Sequence, residues 1–160
     1  MLEVAPADAA MVHCLASPAA LGALRIDGAL VAPIAPGELL VISSPGEAAS
    51  VLAAARSTLA GDPHSLVLDL SDAYGGFRLT GDRRSAFARC ADWPLLEGLP
   101  LQQGLVAQLA AKVVTVRDEL FVFVGSHVGH HLRRRLLAAC ADLGVHELGR
   151  VEFRVEAGVE

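Results

Sequence analysis

Two stretches of this chain repeat one pattern of apolar and polar positions. Residues 38–44 and 119–126 are each a continuous apolar run of strand length that ends in a serine. Apolar residues then recur at helical spacing, as far as Leu59 after the first run and Leu143 after the second. The pattern predicts an α+β fold of repeated strand–helix units that pack helices on an antiparallel or mixed sheet. Residues 39–42 and 120–124 should then be strands in equivalent positions.

A serine stands just before each predicted helix. Ser44, Pro45 and Glu47 match a capping box, in which the serine accepts from a first-turn N–H and the glutamate reaches back to the cap. Ser126 takes the same place before the second helix. We therefore expect these serines to begin the two helices.

Shorter elements lie between the two units. Residues 66–70 and 74–79 are apolar and are separated by turn residues, which predicts a central pair of strands joined by a tight turn. The pattern then predicts a short helix over residues 83–91, a loop over residues 92–104 and a strand over residues 105–116. Asp69 and Asp72 could be paired carboxylates, although such residues at a turn more often bond to their own backbone.

The whole chain is predicted to form one domain over residues 1–160. That length is sufficient to bury a core, and no linker composition interrupts it. Residues 1–20 are interrupted by Pro6 and Pro18, so we expect a loose strand or arm there.

The composition leaves two interpretations of the apolar content open. Hydrophobic residues make up 53% of the chain but aromatic residues only 4%, and the mean hydropathy is +0.47. Small apolar side chains can pack helices on a sheet, or part of the surface can be apolar because a partner covers it. Both interpretations agree with the sequence.

Charge and cysteine spacing narrow the class of protein. The formal net charge of −5 argues against nucleic acid as a ligand, because phosphate binding needs a basic surface. No apolar run reaches the roughly 18 residues of a membrane span. Cys14, Cys90 and Cys140 are odd in number and widely spaced, which is typical of buried thiols in a reducing compartment. The sequence therefore predicts a cytoplasmic protein without a membrane or nucleic-acid partner.

The last predicted helix carries a basic face. His127, His131 and Arg134 share one side of it, and His130 and Arg133 lie beside them. The face could be ordinary solvated surface, or it could bind an anion or an acidic partner. His-x-x-x-His spacing also suits zinc, but no further ligand lies nearby in the sequence.

The predicted loop over residues 92–104 holds apolar side chains without periodic structure to bury them. Trp93 is either a lid on the core or an exposed anchor for a partner. We expect its truncation to alanine to weaken association and leave the fold nearly intact; if Trp93 is instead a core residue, truncation should cost about 3–5 kcal/mol of stability. The candidate partner interface combines this loop with the basic face: Trp93, Leu95, Leu96, Leu99, His127, His130, Arg133 and Arg134. No catalytic, cofactor-binding or metal-binding residue is assigned, because no dinucleotide, phosphate-loop or hydrolase motif is present.

Four segments resemble a known family in their order and spacing. They are residues 36–40 (Pro-Gly-Glu-Leu-Leu), 68–72 (Leu-Asp-Leu-Ser-Asp), 79–81 (Leu-Thr-Gly) and 118–126. Over residues 30–145 the chain resembles the gamma subunit of heterotetrameric sarcosine oxidase. That family is similar to the folate-binding domain of the glycine-cleavage aminomethyltransferase.

The resemblance implies a fold of the aminomethyltransferase type and a non-catalytic role in assembly. The chain would be one subunit of a flavin-dependent oxidase of N-methylated amino acids. FAD, FMN, NAD and tetrahydrofolate would then be carried by larger partner subunits and none by this chain.

The chain departs from its aminomethyltransferase relatives at one functional position. Those relatives place a catalytic aspartate just after the strand aligned with residues 105–108. Here residues 108–113 read Gln-Leu-Ala-Ala-Lys-Val and contain no acid. Two other functions stay open as alternatives: a small folate-binding protein of one-carbon transfer, and a stand-alone interaction adaptor with this fold.

Overall fold

A computed structural model describes residues 1–155 of the chain. It has a mixed α+β architecture, which confirms the predicted class. Contacts divide the chain into two compact units. Among the described residues, unit 1 comprises Met1–Asp8 and Asp72–Val151, and unit 2 comprises Ala9–Ser71 and residues 152–155. The single domain expected over residues 1–160 stays a prediction.

The described residues form strands and helices with the following bounds. The strands are β1 (Leu2–Asp8), β2 (Ala10–Leu15), β3 (Leu30–Ala35), β4 (Glu38–Ser43), β5 (Leu66–Asp69), β6 (Tyr74–Gly81), β7 (Leu101–Val106), β8 (Leu109–Val116), β9 (Glu119–Gly125), β10 (Val145–Glu147) and β11 (Val151–Glu152). The α-helices are α1 (Pro18–Gly22), α2 (Ala48–Leu59), α3 (Arg83–Cys90) and α4 (Gly129–Ala139).

Unit 1 is a sheet with helices α3 and α4 packed on one face. Its strand order is β10-β1-β6-β9-β8-β7; β10 runs parallel to β1 and the other pairs are antiparallel. Alternate residues of β9 contribute to the core beneath the helices, where they meet apolar residues of α3 and α4. Leu132 and Leu136 of α4 are fully buried there, so the predicted apolar face of the last helix is present. Each such side chain contributes about 1.5–3 kcal/mol through burial.

Unit 2 is an antiparallel sheet, β3-β4-β2-β5, with helix α2 packed on it. Val51, Ala55 and Leu59 lie at helical spacing and are buried, as the apolar stripe predicted. They pack against Val12 and Val41 of the two central strands. The amphipathic pattern therefore placed this helix and its buried side correctly.

The N-terminal residues are not a loose arm, and that expectation is wrong. They form β1, β2 and α1, and side chains such as Leu2 and Met11 are fully buried. Pro18 is the first residue of α1. A proline is tolerated there because an N–H at this position would have no intrahelical acceptor. The prolines therefore fit into these elements and do not interrupt the packing.

The predicted central strand pair is also wrong. Strand β5 pairs with β2 in unit 2, whereas β6 lies between β1 and β9 in unit 1. Residues Ser71–Ala73 form a 3₁₀ turn. Ser71 donates to the Asp69 carboxylate through its N–H at 3.0 Å and its hydroxyl at 2.6 Å. Asp69 therefore stabilises the turn, as carboxylates at turns usually do, which disfavours the paired-carboxylate interpretation. Apolar periodicity located both strands but carried no information on their partners.

The single strand expected over residues 105–116 is a hairpin of β7 and β8. The preceding loop ends at Pro100, because β7 begins at Leu101. The turn consists of Ala107 and Gln108, with φ of 50° and 63°. Two residues in the left-handed region suit a tight hairpin, but Asn-Gly is the usual sequence there. Ala-Gln carries no such signal, so the sequence did not reveal the turn.

The two apolar runs are strands β4 and β9, and each leads through a 3₁₀ turn to α2 or α4. Ser44 makes no side-chain capping bond, and Ser126 lies inside its 3₁₀ turn, so the predicted serine caps are wrong. Helix α4 ends at Ala139, before the predicted Leu143. Structural equivalence of the two strand–helix units stays a prediction.

Candidate partner-binding surface

Trp93 is fixed by contacts with its own chain. Its ring packs edge-on against Phe87, with centroids 4.9 Å apart and planes at 84°. Its indole N–H donates to the carbonyl of Leu105 at 2.8 Å. A Cβ added at Gly104 would approach the indole to 2.5 Å, so the ring lies directly over this glycine. The contacts favour the lid on the core over the free anchor.

The rest of this segment, which we call the leucine loop (residues 91–100), presents two leucines to solvent. Leu96 is 52% exposed and Leu99 is 47% exposed, whereas Leu95 is half-buried against the core. The buried Gln102 side chain fixes the loop: its amide oxygen accepts from the Leu96 N–H at 2.9 Å, and its amide nitrogen donates to the Leu96 carbonyl at 3.1 Å. The hydrogen bonds of Gln102 therefore hold the loop that presents the exposed leucines in a defined position.

The basic face of α4 is exposed, and part of its charge is already paired. His127, His130, Arg133 and Arg134 are all exposed. Arg133 donates from Nε to Glu147 at 2.8 Å, and Arg134 donates from Nη2 to Nδ1 of His131 at 3.3 Å. Arg134 thus makes no ion pair within the described residues, and its charge is available to an acidic group on a partner.

The histidines of this face lie close to one another. The rings of His130 and His131 are 3.9 Å apart. The charge of His130 is the largest of the effects that lower the pKa of His131, with burial, Arg134 and Arg135 adding to it. Among residues 1–155, no three His, Cys, Asp or Glu side chains are grouped so that they could hold a metal ion.

Within residues 1–155, the two halves of the predicted interface are not linked by polar or ring contacts. Within the described part of the chain, no hydrogen bond, ion pair or ring contact links Trp93, Leu95, Leu96 or Leu99 to the four basic residues. Both halves belong to unit 1. The whole predicted interface therefore lies on one compact unit.

A cleft of about 580 Å³ opens beside the leucine loop. Arg89, Cys90, Leu105, Gln108 and Arg135 are among the residues that line it. These side chains come from α3, β7, the hairpin turn and α4, which are far apart in sequence. No sequence motif could have identified the cleft, since it exists only through tertiary packing.

The two arginines that line this cleft are bonded to the protein itself. Arg89 makes a two-point ion pair with Asp142, one contact being Nη2 to Oδ2 at 2.9 Å, and this pairing lowers the pKa of Asp142. Arg135 donates to the carbonyl of Ala107 at 2.6 Å. Burial raises the pKa of the Cys90 thiol to about 11. A neutral thiol is a poor nucleophile, so the cleft suits binding better than covalent chemistry.

No helix in residues 1–155 is both long and apolar enough to cross a membrane. No model of a protein family matches the sequence, and no curated protein matches it significantly.

Solved structures do share its fold. A chain of the heterotetrameric sarcosine oxidase from Corynebacterium sp. U-96, in complex with pyrrole 2-carboxylate, matches with a TM-score of 0.72 and 18% identity. The match covers 91% of this chain and 87% of that one. The resemblance that the sequence suggested is thus confirmed at the level of the fold.

Two further structures are similar over most of this chain. The glycine cleavage system aminomethyltransferase T from Bartonella henselae matches with a TM-score of 0.66 and 14% identity, over 91% of this chain and 47% of that one. This chain thus corresponds to about half of that enzyme. The regulatory subunit of aspartate kinase from Thermus thermophilus matches with a TM-score of 0.52 and 12% identity, over 85% of this chain and 96% of that one.

Proposed function

We propose that this chain is a non-catalytic subunit of a flavin-dependent, heteromeric oxidase complex of the sarcosine-oxidase type, which oxidises N-methylated amino acids. Its fold would be that of the aminomethyltransferase folate-binding domain. FAD, FMN, NAD and tetrahydrofolate would be bound by larger partner subunits. The proposal includes a cytoplasmic location. The three widely spaced, free cysteines support it, because free thiols are typical of reducing compartments.

One observation carries the proposal. The likeness to a chain of the heterotetrameric sarcosine oxidase covers 87% of that chain as well as 91% of this one. The match thus spans nearly all of the sarcosine oxidase chain and of the sequence compared with it. By contrast, the aminomethyltransferase is matched over 47% of its length, as a domain within a larger enzyme would be.

The surface of unit 1 provides the means of association. Exposed Leu96 and Leu99 supply apolar area on a positioned loop, and the basic face of α4 supplies positive charge. Apolar area buried at an interface contributes affinity, whereas exposed charge mainly steers encounter with a partner of opposite sign. A large acidic subunit fits both surfaces.

A folate-binding one-carbon transferase is the second candidate, supported by the aminomethyltransferase fold and by the cleft of about 580 Å³. Gln108 stands in the cleft near the place where the resemblance implies a catalytic aspartate. An amide cannot accept a proton as a carboxylate does, which disfavours the transferase.

Co-purification tests the proposed subunit role. The tagged chain is expressed with the larger subunits encoded beside its gene and, separately, alone. We expect a flavin-coloured complex in the first case, and in the second a colourless chain that binds neither flavin nor tetrahydrofolate. A flavin absorbance band on the isolated chain, or a chain that never joins the complex, would contradict the proposal.

Substitutions on unit 1 test which of its surfaces binds the partner. L96K/L99K should weaken co-purification at least about tenfold, since two desolvated lysines replace buried apolar area. H130A/R134A should slow association, most clearly at low salt. Ala53→Lys, an exposed change on α2 of unit 2, and Arg25→Ala are the matched controls and should leave assembly unchanged.

A further inference from the structure

The outermost strands of the two sheets differ in how their free sides are protected. In unit 1, the indole of Trp93 covers part of the free side of β7 by bonding the Leu105 carbonyl. In unit 2, β3 contains Pro33 and an irregular register between Pro33 and Ala35. Proline and bulges are among the features with which proteins prevent pairing at an exposed strand. Strand β5, the other outer strand of unit 2, has neither feature.

Strand β5 instead presents apolar side chains to solvent. Leu66 is 49% exposed and Leu68 is 38% exposed, and the two alternate positions share one face of the strand. Within residues 1–155, these are two of only six large hydrophobic residues that are exposed. Although β5 is only four residues long and ends in the charged Asp69, exposed leucines on an outer strand without proline or bulge favour the addition of a further strand.

The register shows which backbone groups face outward. Leu70 donates to the carbonyl of Met11 at 2.8 Å, next to the Val12–Asp69 pair of the β2–β5 register. Because hydrogen-bonded pairs alternate in an antiparallel ladder, Leu66 and Leu68 bond to β2, whereas Val67 and Asp69 direct their N–H and C=O away from it. No hydrogen bond of the described residues occupies this outer side.

We propose that β5 binds an extended segment of a protein partner as a fifth strand of the unit 2 sheet. Every second residue of the segment would be apolar and would contact Leu66 and Leu68. A lysine or arginine of the segment would lie beside Asp69. The proposal deepens the proposed function, since the segment would belong to one of the larger subunits. It thus adds a contact on unit 2 to the surfaces of unit 1.

The charge of Asp69 defines the chemistry of this occupant. Asp69 is exposed, and the two hydrogen bonds from Ser71 lower the pKa of its carboxyl, so it is ionised at neutral pH. Arg56 exerts only the smallest of the effects on this pKa. A basic residue on a partner segment would be attracted to this exposed charge.

Peptide probes and amide hydrogen exchange test the inference without requiring the oxidase complex. The first probe is a capped peptide of alternating valine and serine with one lysine. In the second, glutamate replaces that lysine, and in the third a central proline prevents pairing. Exchange of each backbone N–H is followed by NMR on the full chain.

In the free chain, we expect the amides of Leu66 and Leu68 to be protected and those of Val67 and Asp69 to exchange freely. The lysine peptide should slow exchange at Val67 and Asp69 at least about tenfold. The glutamate peptide should protect them clearly less, and the proline peptide not at all.

Variants distinguish binding at the edge of β5 from nonspecific hydrophobic binding. L66K/L68K should abolish protection by the lysine peptide, while Leu105→Lys should not, although Leu105 of strand β7 is more exposed, at 56%, than either leucine of β5. Asp69→Asn, which can still accept from Ser71, should remove the preference for lysine over glutamate. An amide spectrum of each variant establishes that it is folded.

Three results would overturn the inference. They are equal exchange of Val67 and Asp69 with and without the lysine peptide, equal protection by the glutamate peptide, or protection in the free chain that rises with protein concentration. The last would assign β5 to a second copy. Because none of them depends on co-purification with flavin subunits, failure here is distinguishable from failure of the proposed function.

Discussion

The indole N–H of Trp93 donates to the carbonyl oxygen of Leu105 at 2.8 Å. This bond ties the leucine loop to β7 and occupies an acceptor on the free side of that strand. With Phe87 packed against the ring and Gly104 beneath it, Trp93 is part of unit 1. This attachment positions the two exposed leucines that follow in the loop. Mutation of Trp93 should therefore affect stability, whereas mutation of the leucines should affect association.

Trp93→Ala should destabilise the protein by about 2–4 kcal/mol, because it removes a half-buried aromatic ring and leaves a cavity. Trp93→Phe should cost about 1 kcal/mol, since the Leu105 carbonyl loses its donor while most of the packing survives. Urea denaturation measures both. The sequence alone predicts the reverse, a nearly intact fold and weaker association. Weakened partner affinity with unchanged stability would support the prediction from sequence instead.

Gly104→Ala should destabilise unit 1 by about 1–3 kcal/mol, because the new Cβ would overlap the indole of Trp93. Trp93 is the sole tryptophan, so its fluorescence reports the displacement directly. The matched control is Gly129→Ala, at the start of α4, where an added Cβ meets no atom within 4 Å. An unshifted emission spectrum in the Gly104 variant would show that the ring does not lie over this glycine.

Asp62 should make stability depend on pH in acid. Hydrogen bonds from Ser17, foremost, and from the His64 N–H lower the pKa of Asp62 to about 2. A carboxyl whose pKa is lower in the folded state stabilises that state above its ordinary pKa of 3.8. The contribution is lost as the pH falls from about 4 to 2. Asp62→Asn should flatten the stability curve in that window alone, as thermal unfolding between pH 2 and 5 can establish.

The three thiols should react slowly while the protein is folded. Burial raises the pKa of Cys14 and of Cys90 to about 11 and also raises that of Cys140. At pH 8 we expect reaction with a disulfide reagent about a hundredfold slower than for free cysteine. Cys90 should react first, because it lines the open cleft while Cys14 and Cys140 are fully buried. A thiol that reacts at the free rate would contradict these values, and Cys90→Ser identifies the first phase.

Unfolding should proceed in one transition if residues 1–160 form the single domain that the sequence predicts. Trp93 fluorescence reports unit 1, and the accessibility of the Cys14 thiol reports unit 2. The two urea curves should coincide, which is the test of two-state behaviour. Two separated midpoints would show instead that each compact unit is a domain.

The apolar pattern by itself determined which segments are buried. Runs 39–42 and 120–124 lie in strands β4 and β9, and the stripe through Val51, Ala55 and Leu59 is the buried side of α2. These predictions succeed because a strand or helix that buries one face must repeat apolar residues with its own period. The exposed basic face of α4 followed from the same logic.

Only the tertiary structure decided which segments meet. Strands β5 and β6 are neighbours in sequence but pair with β2 and with β1 and β9, since pairing depends on chain segments far apart. The Ala107–Gln108 turn lacks the residues that favour positive φ, so it forms because the paired strands around it impose it. The role of Trp93 likewise depends on Phe87, Gly104 and Leu105, which packing brings together and no local pattern records.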